Sequence, residues 1–260
     1  MESLDCNSSD YLSIRKMVSF YYSMSERCNV KRPLHIFFII LCCLYSGGSF
    51  AGSRFVAGLI SPDNVNLNVH DFLRFYAINN SQEKENTLMY ALGAQEATEG
   101  KTWCRYEHVD SATINQTILA TLEKQSTVKA DIRASTMIEA ALVKNYPCQE
   151  KKLPANIISR TSPDFSLTPE TYNLSGNDFF RLWVSGNEQN KLRAGIYLLG
   201  IEDATENKLW CGYDFFKSLT LNEIIYSFLK NKTREELNVR AADVIVRKLM
   251  EYPCDAGTGK

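Results

Sequence analysis

The chain has 260 residues, 29 basic against 30 acidic side chains and 45% hydrophobic content. That is ordinary globular composition, with material for one large or two small cores. Charge near zero, with no basic stripe and no acidic tail, argues against nucleic acid and against a charge-driven partner.

The first informative segment lies near the N-terminus. Lys31-Arg32 precede the apolar run "LHIFFIILCCLY", and Ser49-Phe50-Ala51 follow it. A positive start, a short apolar core and small residues make a secretory signal over 1–51, cleaved after Ala51. Met24 would start a signal of ordinary length. The apolar run is short for a bilayer span, and a membrane anchor or a buried helix is the competing reading. Bulky Leu41 before Cys42 argues against a lipoprotein. Cleavage would leave Cys104, Cys148, Cys211 and Cys254. An even number of cysteines in an exported chain reads as two disulfides, with three possible pairings.

A first unit spans 52–150. A helix opens near Asn68 and carries Phe72, Leu73 and Tyr76. A second holds Tyr90 and Gly93 and ends before Trp103-Cys104. The spacing Thr113-x-x-Gln116 predicts a capping box at the start of a third. A fourth presents Ala134, Met137, Ile138, Ala141 and Leu142 on one face and is stopped by Pro147. Gly100-Lys101-Thr102 has the form of a phosphate-loop tail, but Gln95 stands where the first glycine belongs. Residues 151–174 are polar, hold Pro154, Pro163 and Pro169, and read as a linker.

The second unit, 175–260, repeats the first. Shifting the chain by 107 residues sets "DFLRFY" on "DFFRLW", Tyr90 and Gly93 on Tyr197 and Gly200, and Trp103-Cys104 on Trp210-Cys211. Arg133-Ala134 falls on Arg240-Ala241 and, after one deletion, Tyr146-Pro147-Cys148 on Tyr252-Pro253-Cys254. A duplication is the simplest cause. The second copy replaces the glycine of the Gly-Lys-Thr run by Asn207 and the threonine by Leu209, so that run is coincidence. Its first helix opens near Ser175 with Phe179, Phe180 and Trp183. Its third predicts a box at Thr220-x-x-Glu223 and an apolar face of Leu221, Ile224, Ile225, Phe228 and Leu229. Thr233-x-x-Glu236 is expected to start its fourth, which carries Ala241, Val244, Ile245 and Leu249 and stops at Pro253.

The predicted fold is all-α: two tandem four-helix units, each stapled by one disulfide. Equivalent positions in the two copies pair Cys104 with Cys148 and Cys211 with Cys254. Each bridge closes about 45 residues, worth about 4 kcal/mol in the chain-entropy model. The tryptophans cover the bridge or fill the core, with ligand stacking as the other reading. Gly93 and Gly200 inside helices imply close helix approach, or a hinge. Asp71/Arg74 and Asp178/Arg181 read as surface pairs. Glu96/Asp203 and Glu99/Glu206 read as a solvated helix end or an acidic recognition edge. His35, His70 and His108 have no metal-ligand spacing, and neither H-E-x-x-H, C-x-x-C nor G-x-S-x-G occurs. No metal or cofactor is expected. Catalysis is disfavoured, because His70 and His108 have Asn177 and Phe215 as counterparts.

The ordered set Y-x-x-G-x-x-x-A, W-C, a capped helix, and a helix ending in P-C resembles the Tai/Rap family of immunity proteins against type VI secretion amidase effectors. Tyr90, Gly93, Ala97, Trp103, Cys104, Pro147 and Cys148 carry it once. Tyr197, Gly200, Ala204, Trp210, Cys211, Pro253 and Cys254 carry it again. The resemblance covers nearly the whole mature chain. It implies a helical periplasmic protein, without catalysis, that docks on a peptidoglycan amidase and blocks its cleft. A periplasmic chaperone or stress-related binding module is the alternative. Family members commonly pair, so a homodimer or an intrachain pseudo-dimer is implied, and the tandem departs from the family's single unit. Tyr76 against Trp183, and His108 against Phe215, suggest that the units have diverged, one meeting the toxin and the other supporting it.

Overall fold

A computed structural model describes residues 59–105, 109–148 and 166–254. The expected signal, His108 and most of the 151–174 connection lie outside the described residues. The described residues hold eight helices and no strand. The first repeat contributes α1 (Val69–Ala77), α2 (Ser81–Thr98), α3 (Ser111–Gln125) and α4 (Ala134–Asn145). The second contributes α5 (Gly176–Trp183), α6 (Glu188–Thr205), α7 (Ser218–Lys230) and α8 (Ala241–Leu249). Both repeats lie in one compact unit, Val56–Lys260.

The helix starts follow local chemistry. Asn68 and Ser175 cap α1 and α5 by accepting from the amides of Asp71 and Asp178. Asn80 and Asn187 do the same for α2 and α6. The boxes expected at Thr113 and Thr220 do not form. Asp110 caps α3, accepting from the Thr113 amide at 2.7 Å, so Thr113 sits inside the first turn. The cap of α7 is Lys217, with no side-chain bond, and Thr220 lies inside that helix. The Thr233–Glu236 box does close, with amide-to-side-chain bonds of 2.8 and 3.2 Å. It stabilises a turn, however, and α8 begins later, at Ala241. The delay has a tertiary cause: Arg240 must first run extended beside Ser175 in a β-bridge, as Arg133 does beside Asn68.

The predicted faces of α4 and α8 are buried, and so are Leu221, Ile225 and Leu229 of α7. Ile224 and Phe228 remain half-exposed. Trp103 and Trp210 are fully buried and fill the core of their repeats. Their indole N–H groups donate to the Thr98 and Thr205 hydroxyls at 3.1 and 3.0 Å, so neither ring carries an orphan donor. Disulfides join Cys104 to Cys148 and Cys211 to Cys254, each with Cα atoms 4.7 Å apart. Beside each bridge a main-chain bond ties the strap after the second helix to the end of the fourth: Cys104 N–H to Tyr146 O at 3.0 Å, and Cys211 N–H to Tyr252 O at 2.9 Å.

Helices α2 and α6 are buried on almost every side, which is why they show no single apolar stripe. They cross each other at the centre of the molecule. A Cβ at Gly93 would collide with the carbonyl oxygen of Tyr197, and one at Gly200 with that of Tyr90. Close approach, rather than a hinge, is the reason for both glycines.

Candidate functional site: the seam and the outer grooves

The two repeats exchange polar contacts across the α2–α6 crossing, and the duplication makes these contacts reciprocal. Asp203 at the end of α6 accepts from the amides of Asn66 and Leu67, each at 3.0 Å, and from Tyr90 Oη at 2.8 Å, all from the first repeat. Tyr213 Oη of its own repeat adds a bond of 2.7 Å. Glu96 at the end of α2 accepts from the Asn173 amide at 2.5 Å and from Tyr197 Oη at 2.6 Å. Thus each buried tyrosine of the sequence motif reaches the other repeat's carboxylate.

Two arginines close the seam. Arg240 Nη1 meets Glu99 Oε2 at 2.6 Å, and its Nη2 donates to the Glu96 carbonyl at 2.5 Å. Arg133 Nη2 meets Glu206 Oε2 at 2.9 Å, and its Nη1 donates to the Asp203 carbonyl at 3.1 Å. These carboxylates were expected at a solvated helix end or on a recognition edge. They are neither: Glu96 and Asp203 are 0% and 1% exposed, and Glu206 is 6% exposed. A helix end in a lone unit would be wet, and only the second repeat covers it. The sequence signal that could have located the seam was the doubled Arg-Ala pair at 133 and 240.

Burial sets the titration of these groups. It pushes Glu96 up to about 7, against the downward pull of Arg240 and the Tyr197 hydroxyl. It also raises Asp203, against bonds from Tyr213, Asn66 and Tyr90. Tyr90 and Tyr197 rise well above the ordinary phenol value, through burial and then through the carboxylate each faces. They are therefore neutral donors at any physiological pH. Glu202, beside Asp203, is fully buried, and its Oε1 meets no hydrogen-bond partner among the described residues. Its counterpart Gln95 donates to Asn115 at 3.1 Å. The surface pairs come out as expected, Arg74–Asp71 at 3.0 Å and Arg181–Asp178 at 3.1 Å, although Asp178 is itself buried.

The seam packs the two repeats against each other. Tyr90, Tyr197, Arg133 and Arg240 each meet a carboxylate of the other repeat, whereas Glu202 Oε1 and Arg240 Nε have no hydrogen-bond partner among the described residues. Pro147 and Pro253 stand immediately before the bridged Cys148 and Cys254, where they end the straps that follow α4 and α8. Among the described residues no group of histidine, cysteine or acidic side chains could hold a metal ion. No helix among them is long and apolar enough to cross a membrane. His70 is exposed and lies 3.5 Å from Asp71.

The outer surface offers concavities on both flanks of α7. One, of about 550 Å³, lies between α7 and α8 and is lined by Ile224, Phe228, Lys232, Lys248 and Tyr252. The other, of about 380 Å³, lies between the end of α5 and α7 and is lined by Trp183, Val184 and Tyr226. Sequence reading placed Ile224 and Phe228 on the buried face of α7 and so missed this surface.

The described residues form an all-helical, disulfide-tied pseudo-symmetric body whose two repeats meet in a largely buried seam. The sequence matches the family model of Rap1a immunity proteins twice, over residues 70–148 and 175–254. The two matches fall on the two structural repeats, and the chain belongs to the Rap1a immunity protein family. Immunity proteins act on a protein effector, so a protein partner is implied. No curated protein matches the chain.

Proposed function

We propose that this chain is a periplasmic immunity protein that binds and blocks a peptidoglycan amidase effector of the type VI secretion system. The single observation that carries the reading is the pair of Rap1a immunity matches, one on each repeat. Two disulfides support an oxidising compartment. The signal-like segment ending at Ala51 supports export, and the mature chain would begin at Gly52. Inhibition is steric: a rigid helical body covers the cleft in which the amidase, by its own nucleophile and base, cuts the peptide. The sealed seam supports an intrachain pseudo-dimer as the working form, with units 52–150 and 175–260 acting as its two halves.

The test uses the mature chain from Gly52 and the purified amidase encoded beside its gene. Stoichiometric addition should abolish release of cut peptides from isolated sacculi, and calorimetry should give one amidase per chain. Full amidase activity at a tenfold excess of the chain would overturn the reading. N-terminal sequencing of periplasmic material should start at or near Gly52.

A further inference from the structure

The duplication supplies an internal control for surface residues. Positions that the fold needs are kept in both copies: Ile114, Ile118 and Leu122 on α3 match Leu221, Ile225 and Leu229 on α7, and all are buried. Positions facing outward have no such requirement. There the copies differ, and beside one groove the second copy gains apolar side chains. Thr117 and Thr121 of the first repeat become Ile224 and Phe228 in the second, and Ala112 becomes Leu219, which is 67% exposed. Charge changes as well: Asp110, Glu123 and Gln125 are replaced by Lys217, Lys230 and Lys232, and the buried Ala141 by Lys248, while Gln116, Lys124 and Lys144 are replaced by Glu223, Asn231 and Glu251.

These replacements alter one groove. In the first repeat Thr117 Oγ1 hydrogen-bonds to Tyr146 Oη at 3.0 Å. In the second, Ile224 and Phe228 leave Tyr252 at the floor of the open α7–α8 groove. The Lys232 and Lys248 amino groups stand 5.1 and 5.6 Å from the Phe228 ring centre. Both lysines also pair with glutamates at the rim, Glu236 and Glu251, which are 47% and 55% exposed. The lysine ends are 32% and 16% exposed, so the Lys232–Glu236 pair is the weaker held and the readier to exchange for another carboxylate. Glu223 lies on the α7 side of the groove and the two ammonium groups near Phe228, so the Phe228 end is complementary to an apolar side chain flanked by negative charge.

We propose that the α7–α8 groove of the second repeat is the effector-docking face, taking from the effector an apolar anchor flanked by carboxylates. This rests on the immunity reading and gives it a location: the second repeat binds, and the first supports it across the seam. The reverted chain Ile224→Thr, Phe228→Thr, Lys232→Gln and Lys248→Ala carries only residues that the same positions hold in the first repeat. It is therefore expected to fold with an unchanged helical spectrum.

The experiment has two arms. Against the neighbouring amidase, the reverted chain should lose at least about thirtyfold in affinity, as expected when anchors are removed. Lys124→Ala, a lysine removed from the end of α3 in the first repeat, should bind like wild type. Against the peptide acetyl-Glu-Phe-Glu-amide, the wild-type chain should show saturable methyl shifts at Ile224 by NMR, weakened by salt and lost on reversion. Wild-type affinity of the reverted chain for the amidase would overturn the groove and leave the immunity reading standing. Peptide binding at Ile224 without any amidase binding would keep the groove and remove the amidase. Shifts confined to the first repeat, or absent, with no effect of reversion, would overturn the proposal.

Discussion

Gly93 and Gly200 face each other's repeats across one helix crossing, each lying where a side chain would strike the backbone carbonyl of the other repeat's motif tyrosine. Backbone cannot step aside as a flexible side chain can. Gly93→Ala and Gly200→Ala should therefore each cost about 3 kcal/mol or more, in spite of alanine's better helix propensity. Gly186→Ala, which would meet nothing within 4 Å, is the control and should be nearly neutral. Urea unfolding of the three variants checks this, and a stabilised Gly93→Ala chain would refute the close crossing.

Arg240 is the more buried of the two seam arginines, at 6% side-chain exposure against 18% for Arg133. Removing one partner of a buried pair leaves the other charge uncompensated, at a cost of about 3–5 kcal/mol. Arg240→Met should fall in that range, because it strands both Glu99 and the Glu96 carbonyl. Arg133→Met should cost less, since water reaches its pair. Equal or negligible losses in chemical denaturation would show that the seam does not depend on these ions.

Stability should fall as pH rises from about 4.3 to about 7. Burial pushes Glu96 up to about 7 and Glu202 well above the ordinary carboxylate value, with Asp203 adding to the second shift. In the unfolded chain both titrate near about 4.3. Across that interval the folded chain holds more protons than the unfolded one, which gives the negative slope. Asp110 and Glu236 shift the other way, so their stabilising share fades only below that interval. Glu202→Gln restores the residue type of position 95. It should raise the unfolding midpoint at pH 7.5 and change little at pH 4.5. Thermal scans at both pH values decide, and a midpoint that climbs with pH would contradict the assignment.

Each disulfide closes a long loop, with cysteines 44 and 43 residues apart. Cys104→Ala with Cys148→Ala should lose about 4 kcal/mol in the chain-entropy model, and so should the pair in the second repeat. Because both repeats share one core, either loss should lower a single unfolding transition. Two separate transitions by calorimetry would show that the repeats melt independently. Non-reducing peptide mapping should recover no bridge between repeats.

Much of the architecture was readable from the chain alone. Helix periodicity, Asn and Ser caps, and Pro147 and Pro253 are local signals, because caps and φ restrictions act within a few residues. The duplication added what locality cannot: equivalent cysteines selected one pairing of three. What the sequence could not decide lay between the copies. Glu96, Asp203, Glu99 and Glu206 look like wet helix ends in either unit read by itself. Only the packing of α2 on α6 removes their water and supplies Tyr197, Tyr90, Arg240 and Arg133 from the other repeat. Likewise, periodicity placed Ile224 and Phe228 on an inward face, but a helix sees its core through a limited arc. The angle at which α7 lies on α5 and α8 turned those two side chains toward the surface, and angles of that kind are set by tertiary packing, not by spacing along the chain.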